Sequence, residues 1–245
     1  MPTRIFLSRP ATGDSVVPLD PSTLHYLTRV LRMKEGDRLQ GFDTMGAAYD
    51  LALGTLPGGE IVAKVLARHP AALPPAVQLT LAQSLPKGPK LDSVLRQGTE
   101  MGVTSFLPFL SERAISRPDE DGALHKKDRW EKIAVEACRQ CGRVDVPKIY
   151  SLGTWTDVLE GMKLHDLNLF LHEKEAPSLK AVLEAHPAVR SVMLIVGPEG
   201  GWTPAESKDA MESGAHPVHL PTPVLRCETA GLAAAAMVRF FYGVR

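Results

Sequence analysis

Five short apolar runs beyond residue 76, each followed by a stretch with helical spacing, constrain this fold more than any other feature of the chain. The runs are VQLTLAQSL, SFLPFL, LNLFL, SVMLIV and PVHL, and the helical stretches lie at 90–101, 127–141, 178–186, 204–213 and 226–242. Strands that are apolar throughout must be covered on both faces, and parallel strands need a crossover long enough to hold a helix. The alternation predicts an α/β domain on a parallel sheet. Ligands of such sheets sit beyond the carboxyl ends of the strands. The three least ordinary loops, LHEKEAP, GPEGGWT and LPTPVLRCET, fall at those ends.

Residues 1–66 read differently. DTMGAAYDLAL predicts a hairpin around Gly46 and LPGGEIVAKVL another around Gly58-Gly59. One helical piece interrupts them, in which Leu24, Leu27, Val30 and Leu31 follow helical spacing. The proline-rich ARHPAALPPAV (67–77) reads as a linker. The expected division is therefore a small β-rich module at 1–72 and the α/β domain at 73–245. No apolar stretch reaches the length of a membrane span, and MPTRIFLSRP has no signal-like apolar core. Three cysteines do not make a disulfide framework. A cytoplasmic setting is expected.

Net charge is zero, which alone would speak against a nucleic-acid partner. Residues 1–148 carry 20 basic and 17 acidic side chains, however, and the remainder 8 and 11. A polyanion needs a local basic surface, not a basic total. The charge is compatible with such a partner and does not demand one.

The glycine-rich turn GPEGG is preceded by an apolar run and followed by Thr203-Pro204-Ala205-Glu206, a capping box with proline at the first helical position. Glu206 is thereby assigned to capping. Glycine-rich strand-to-helix turns commonly cradle phosphates, but Glu199 sits inside this one and no G-x-x-x-x-G-K-[ST] or G-x-G-x-x-G accompanies it. A carboxylate there suits a cationic or hydroxyl-rich ligand, a solvated turn residue being the alternative. In LRCETAGLAAAAMVRFF, Glu228 suits the positive end of the helix and Arg226 does not, so Arg226 implies a specific anionic partner. Cys138 and Cys141 form a C-x-x-C lacking a second pair. On helical spacing both join Trp130, Ile133, Ala134 and Ala137 in one core-facing stripe. His172-Glu173 lacks the downstream P-C-x-x-C of a zinc deaminase, and no G-x-S-x-G elbow is present. No metal is expected.

Seven segments in order, HYLTRVLRMKEGD, LAQSLPKGPKLDSVLRQGTEMGV, SERAISR, EACRQCGRVDVP, LHE, GPEGGWTPAE and LRCETA, closely resemble the RsmE family. These are the 16S ribosomal RNA uridine-N3 methyltransferases of the SPOUT superfamily. The resemblance covers essentially the whole chain and implies an α/β protein with a PUA-like N-terminal β-barrel and a C-terminal SPOUT domain containing a deep trefoil knot. It also implies a homodimer, S-adenosylmethionine as cofactor, and 16S rRNA of the small ribosomal subunit as partner. Carried over by position, the cofactor would be held by Leu171, His172, Glu173, Gly197, Pro198, Glu199, Gly200, Gly201, Leu220, Pro221, Val224, Leu225, Arg226 and Thr229. RNA would be held by Arg29, Arg32, Lys87, Arg113, Arg139 and Arg143. The sequence departs from the family at Leu220-Pro221-Thr222-Pro223, where Leu-Gly-x-Arg is common. For catalysis the expectation is Arg226 stabilising the uracil anion, with Glu228 orienting it or accepting the N3 proton. A non-catalytic RNA-binding module, or a SPOUT enzyme with another RNA target, are the competing readings.

Overall fold

The computed structural model describes residues 2–11, 15–71, 74–115, 120–172 and 176–243, the side chains of 120, 121, 123 and 124 excepted. The chain divides into two compact units, residues 1–73 with 138–146, and residues 74–137 with 147–245.

The first unit contains β1 (Arg4–Leu7), β2 (Val16–Pro18), α1 (Pro21–His25), β3 (Arg38–Asp43), β4 (Ala48–Thr55) and β5 (Ile61–His69). They form a five-stranded sheet in the order β1-β3-β4-β5-β2. β1 and β3 are parallel and the other pairs antiparallel. Both predicted hairpins are present. Asp43 fixes the first, because its fully buried carboxylate accepts hydrogen bonds from the N–H groups of Met45 and Ala47 and from the Tyr49 hydroxyl. The alternating strands send Ile5, Leu7, Leu39, Tyr49, Leu51 and Leu53 into one core with Leu27. The helix begins at an Asp20 cap and runs from α1 into a π-helical turn, Tyr26–Val30.

That turn closes with Arg32 in the left-handed region at φ 54°, the one non-glycine among the described residues with positive φ. The Met33 N–H reaches back to the Leu27 carbonyl and closes the helix end. Glycine is the residue such a cap ordinarily takes, and a side chain there costs about 1–3 kcal/mol. Arg32→Gly is expected to raise stability by about 0.5–1 kcal/mol once the extra freedom of the unfolded glycine is counted. Denaturant unfolding of the two proteins checks this, and equal or lower stability of the glycine variant would contradict it.

The second unit contains β6 (Gln78–Ser84), α2 (Lys90–Glu100), β7 (Ser105–Leu110), α3 (Glu120–Cys141), β8 (Lys148–Ile149) and β9 (Gly153–Thr154). There follow α4 (Trp155–Met162), β10 (Leu167–Leu171), α5 (Leu179–Ala185), β11 (Ser191–Val196), α6 (Pro204–Glu212), β12 (His216–Val218) and α7 (Cys227–Gly243). α3 ends in the segment grouped with the first unit. The seven-stranded sheet runs β12-β10-β11-β6-β7-β8, with β9 also on β7, and every pairing in it is parallel. β11 and β6 lie at its centre and β10 beside them, nearly every residue buried, as apolar runs without alternation require. Among the described residues no helix is long and apolar enough to cross a membrane.

Two local expectations are corrected. Cys138 is buried but Cys141 is exposed, because α3 stops at Cys141 and Gly142 turns the chain away at φ 89°. Burial pushes the Cys138 thiol up to about 12. The additional helix α4 is opened by a capping box between Thr154 and Asp157, and it buries only Val158 and Met162. Trp155, Val158, Leu159 and Met162 nonetheless follow i, i+3, i+4, i+7 spacing, a helical signal that the expected elements omit.

Candidate functional site

The carboxyl ends of three adjacent strands, β12, β10 and β11, deliver three loops to one cavity of about 780 Å³. Its walls come from Leu171 and His172 at the end of β10, from 196–202 after β11, and from 218–220 and 222–227 after β12, with Lys90, Arg113 and Ala230 completing them. The loops are bonded to one another. The Trp202 indole N–H donates to the Leu171 carbonyl at 3.0 Å, the His172 N–H to the Val218 carbonyl at 2.9 Å, and the His219 N–H to the Pro177 carbonyl at 3.0 Å.

Trp202 anchors this wall. Its ring stacks on Phe170 at 4.4 Å between centroids and lies within 6.3 Å of Phe109 and 5.4 Å of Trp155. A Cβ at Gly197 would stand 2.8 Å from the indole, so only glycine lets strand and indole approach this closely. At Gly200 a Cβ would meet Arg113 at 3.3 Å. Gly201 takes φ 68° where its N–H turns back to the Pro198 carbonyl. Glu206 caps α6 as predicted and is buried (3% exposed), accepting hydrogen bonds from the Thr203 N–H and hydroxyl. It also accepts the Glu112 N–H, 94 positions away in sequence.

Glu199 is held in a defined cluster. The Lys90 ammonium, at the start of α2, lies 3.1 Å from its carboxylate and 3.3 Å from that of Glu228 at the start of α7. The Lys87 backbone N–H also donates to Glu199, and the Cys227 thiol to Glu228 at 3.3 Å. Burial pushes both carboxyls up. Hydrogen bonds from their own backbone N–H groups, from Lys90 and, respectively, from Lys87 and Cys227 outweigh it, and both sit below the usual carboxylate range. The hydrogen bond to Glu199, then the one to Glu228, raises Lys90. Burial first, and the bond to Glu228 second, push the Cys227 thiol up to about 12. Acceptor atoms of Glu199, Cys227 and Glu228 lie within 4.8 Å of one another, a spacing a metal ion could bridge. The Lys90 ammonium already supplies a cation to that cluster.

Of the expected cofactor residues, Leu171, His172, Gly197, Pro198, Glu199, Gly200, Gly201, Leu220, Val224, Leu225 and Arg226 line the cavity. Pro221 and Thr229 are adjacent in sequence but are not part of its wall, and Glu173 lies outside the described residues. Arg226 is exposed, and its carbonyl accepts the first N–H groups of α7, from Thr229 and Ala230. No hydrogen bond or ion pair among the described residues joins it to Glu228, which is engaged by Lys90 instead. Among the basic residues expected to meet RNA, Arg29, Arg32 and Lys87 are exposed. Arg113 spans the glycine turn, donating to the carbonyls of Gly200 and Trp202. Arg139 donates to the Arg4 carbonyl and covers the Tyr26 ring at 4.8 Å, and Arg143 pairs with Asp145 at 2.6 Å. Lys90, Trp202, Val218 and His219 are among the cavity residues that the sequence did not assign. The partners of Lys90 lie 109 and 138 positions away, and no local pattern signals them.

Loops after neighbouring parallel strands, closed around a glycine-rich turn by backbone bonds, define a nucleotide-like ligand site of an α/β enzyme. An RNA methyltransferase domain family matches residues 73–239, and an RNA methyltransferase PUA domain family matches residues 19–66. The chain is thus a two-part RNA methyltransferase by class. Among curated proteins it is 33% identical to a ribosomal RNA small subunit methyltransferase E of Synechocystis over 92% of this chain and 73% of that one. It is 30% identical to the Bacillus subtilis protein of that name over 89% and 87%. Among solved structures it matches a ribosomal RNA small subunit methyltransferase E from Neisseria gonorrhoeae bound to S-adenosyl methionine. The TM-score is 0.85 and the identity 31%, over 99% of this chain and 98% of that one. The chain belongs to the ribosomal RNA small subunit methyltransferase E family.

Proposed function

We propose that this chain transfers a methyl group from S-adenosylmethionine to N3 of a uridine in 16S rRNA of the small ribosomal subunit. One observation carries the reading. Three bonded loops enclose a cavity that presents the Glu199 carboxylate, itself paired with Lys90, beside apolar Leu171, Val196, Val218 and Leu225, with Arg113 and Arg226 also on its wall. A purine and ribose need apolar walls and backbone partners, and a sulfonium needs a negative neighbour rather than the lysine of a phosphate cradle. The residues present fit that cofactor. Leu171, Gly197–Gly201 and Leu220–Arg226 would hold it, and bound there it supplies an electrophilic methyl group.

The protein's part is to expose the base, take up the N3 proton and stabilise the charge that develops as the nitrogen–carbon bond forms and the carbon–sulfur bond breaks. Arg226 takes the charge-stabilising role, exposed beside the cavity and without a side-chain partner among the described residues. Glu228 accepts the proton. A carboxylate below its ordinary range is a weak base, so the transfer proceeds in concert with methylation and the burden falls on Arg226. Arg29, Arg32 and Lys87 hold the RNA backbone, so affinity falls with added salt. In this reading residues 1–72 form a PUA-like barrel for RNA, and 73–245 form the SPOUT domain, its C-terminal segment threaded as a trefoil knot.

A second copy of the chain is placed on α7, whose outward stripe of Ala233, Ala236 and Phe240 leaves Phe240 79% exposed. Phe240→Glu is expected to convert a dimer to a monomer in light scattering, and a wild type monomeric at micromolar concentration would contradict this. The cofactor assignment is tested by hydrogen exchange with and without S-adenosylmethionine. Protection confined to the loops after β10, β11 and β12 is expected, and protection elsewhere, or none at saturating ligand, would overturn it.

A further inference from the structure

We propose that Lys90, Glu199 and Glu228 form a charge-reading trio that distinguishes the sulfonium cofactor from its neutral thioether product, with Lys90 as the positioning residue that sets the trio's charge. The inference rests on the cofactor assignment above and deepens it. Two carboxylates from different loops stand within 4.8 Å of each other, where like charges repel unless a cation lies between them. Lys90 comes from a third element, α2, and its ammonium reaches both carboxylates. The other bonds in the cluster, from the Lys87 N–H and the Cys227 thiol, bring no formal charge. The trio therefore carries a single negative charge; Lys90 and Glu199 line the cavity and Glu228 stands behind them on Lys90. Of the other cations on the wall, Arg113 is turned onto the Gly200 and Trp202 carbonyls and Arg226 is exposed.

Methyl transfer leaves the carbon–sulfur bonding pair on sulfur and turns a cation into a neutral thioether. The trio attracts the first and is indifferent to the second, which favours exchange of spent for fresh cofactor. Lysine also keeps the attraction moderate, because two uncompensated carboxylates would hold the cation more tightly and splay the loops that carry them.

The test is calorimetric titration of S-adenosylmethionine and S-adenosylhomocysteine into the full-length protein at pH 8. Lys90→Gln is expected to raise the preference for the sulfonium ligand roughly five- to tenfold over wild type. Lys90→Arg should restore the wild-type ratio. Glu199→Gln and Glu228→Gln, each with Lys90 in place, should lower the preference by a similar factor, and these arms stand if Lys90→Gln does not fold. Equal loss of both ligands in every variant, or an unchanged ratio, would show a merely structural clamp and overturn the proposal. A wild type that binds neither ligand would instead overturn the cofactor assignment on which it rests.

Discussion

Gly197→Ala is expected to weaken S-adenosylmethionine binding roughly 5- to 150-fold while leaving the protein folded. The added Cβ would stand 2.8 Å from Trp202 Cε2 and 3.1 Å from Nε1, both well inside contact distance. The indole is held by its neighbours. It stacks on Phe170, faces Phe109 and Trp155, and its N–H is tied to the Leu171 carbonyl. Overpacking of such a site costs about 1–3 kcal/mol, which corresponds to roughly 5- to 150-fold if it is expressed as displacement of the loop. The same strain reaches the loop after β10 through the broken Trp202–Leu171 bond, so two of the three cofactor walls move together. Gly201 provides the contrast, because no atom stands within 4 Å of a Cβ there and only its φ of 68° resists substitution. Gly201→Ala should therefore cost about 1 kcal/mol and spare more of the affinity. Equal affinities of wild type and Gly197→Ala by titration calorimetry would show that Trp202 does not define the wall.

Arg226→Ala is expected to lower turnover by about 10²- to 10³-fold with saturating cofactor and subunits, the usual effect of removing one group that stabilises developing negative charge. Arg226 occupies the cap position of α7, where a cation is unfavourable and Ser, Thr, Asp or Asn would be preferred. Its removal should thus leave folding stability unchanged or slightly improved, which separates a chemical role from a structural one. Arg226→Lys should recover part of the rate, since a point charge replaces the planar fork. The measurement is the single-turnover rate of methyl transfer, and a rate unchanged in Arg226→Ala would remove the residue from the mechanism.

Much of this site was legible in the sequence because its determinants are local. The glycine turn, the Thr203–Glu206 capping box and the start of α7 each occupy a few consecutive residues, and strand-to-helix alternation places them at one edge of a parallel sheet. The strand order β12-β10-β11-β6 was not legible, since apolar runs that are alike on both faces do not record their neighbours. Lys90 was hidden for a related reason, since Glu199 and Glu228 lie 109 and 138 positions from it and only the fold brings them together. The resemblance gives Arg139 and Arg143 to RNA, and in the structure their guanidinium groups reach the Arg4 carbonyl, the Tyr26 ring and Asp145. Periodicity fixes which side of a helix a residue occupies but not which distant backbone carbonyl waits there.

The most direct test of the account is methyl transfer from labelled S-adenosylmethionine to small ribosomal subunits that lack the modification, with the product nucleoside identified by mass spectrometry. The account predicts label in 16S rRNA recovered as 3-methyluridine. Cofactor bound at the cavity with no label in RNA, or label recovered in a different nucleoside, would contradict it.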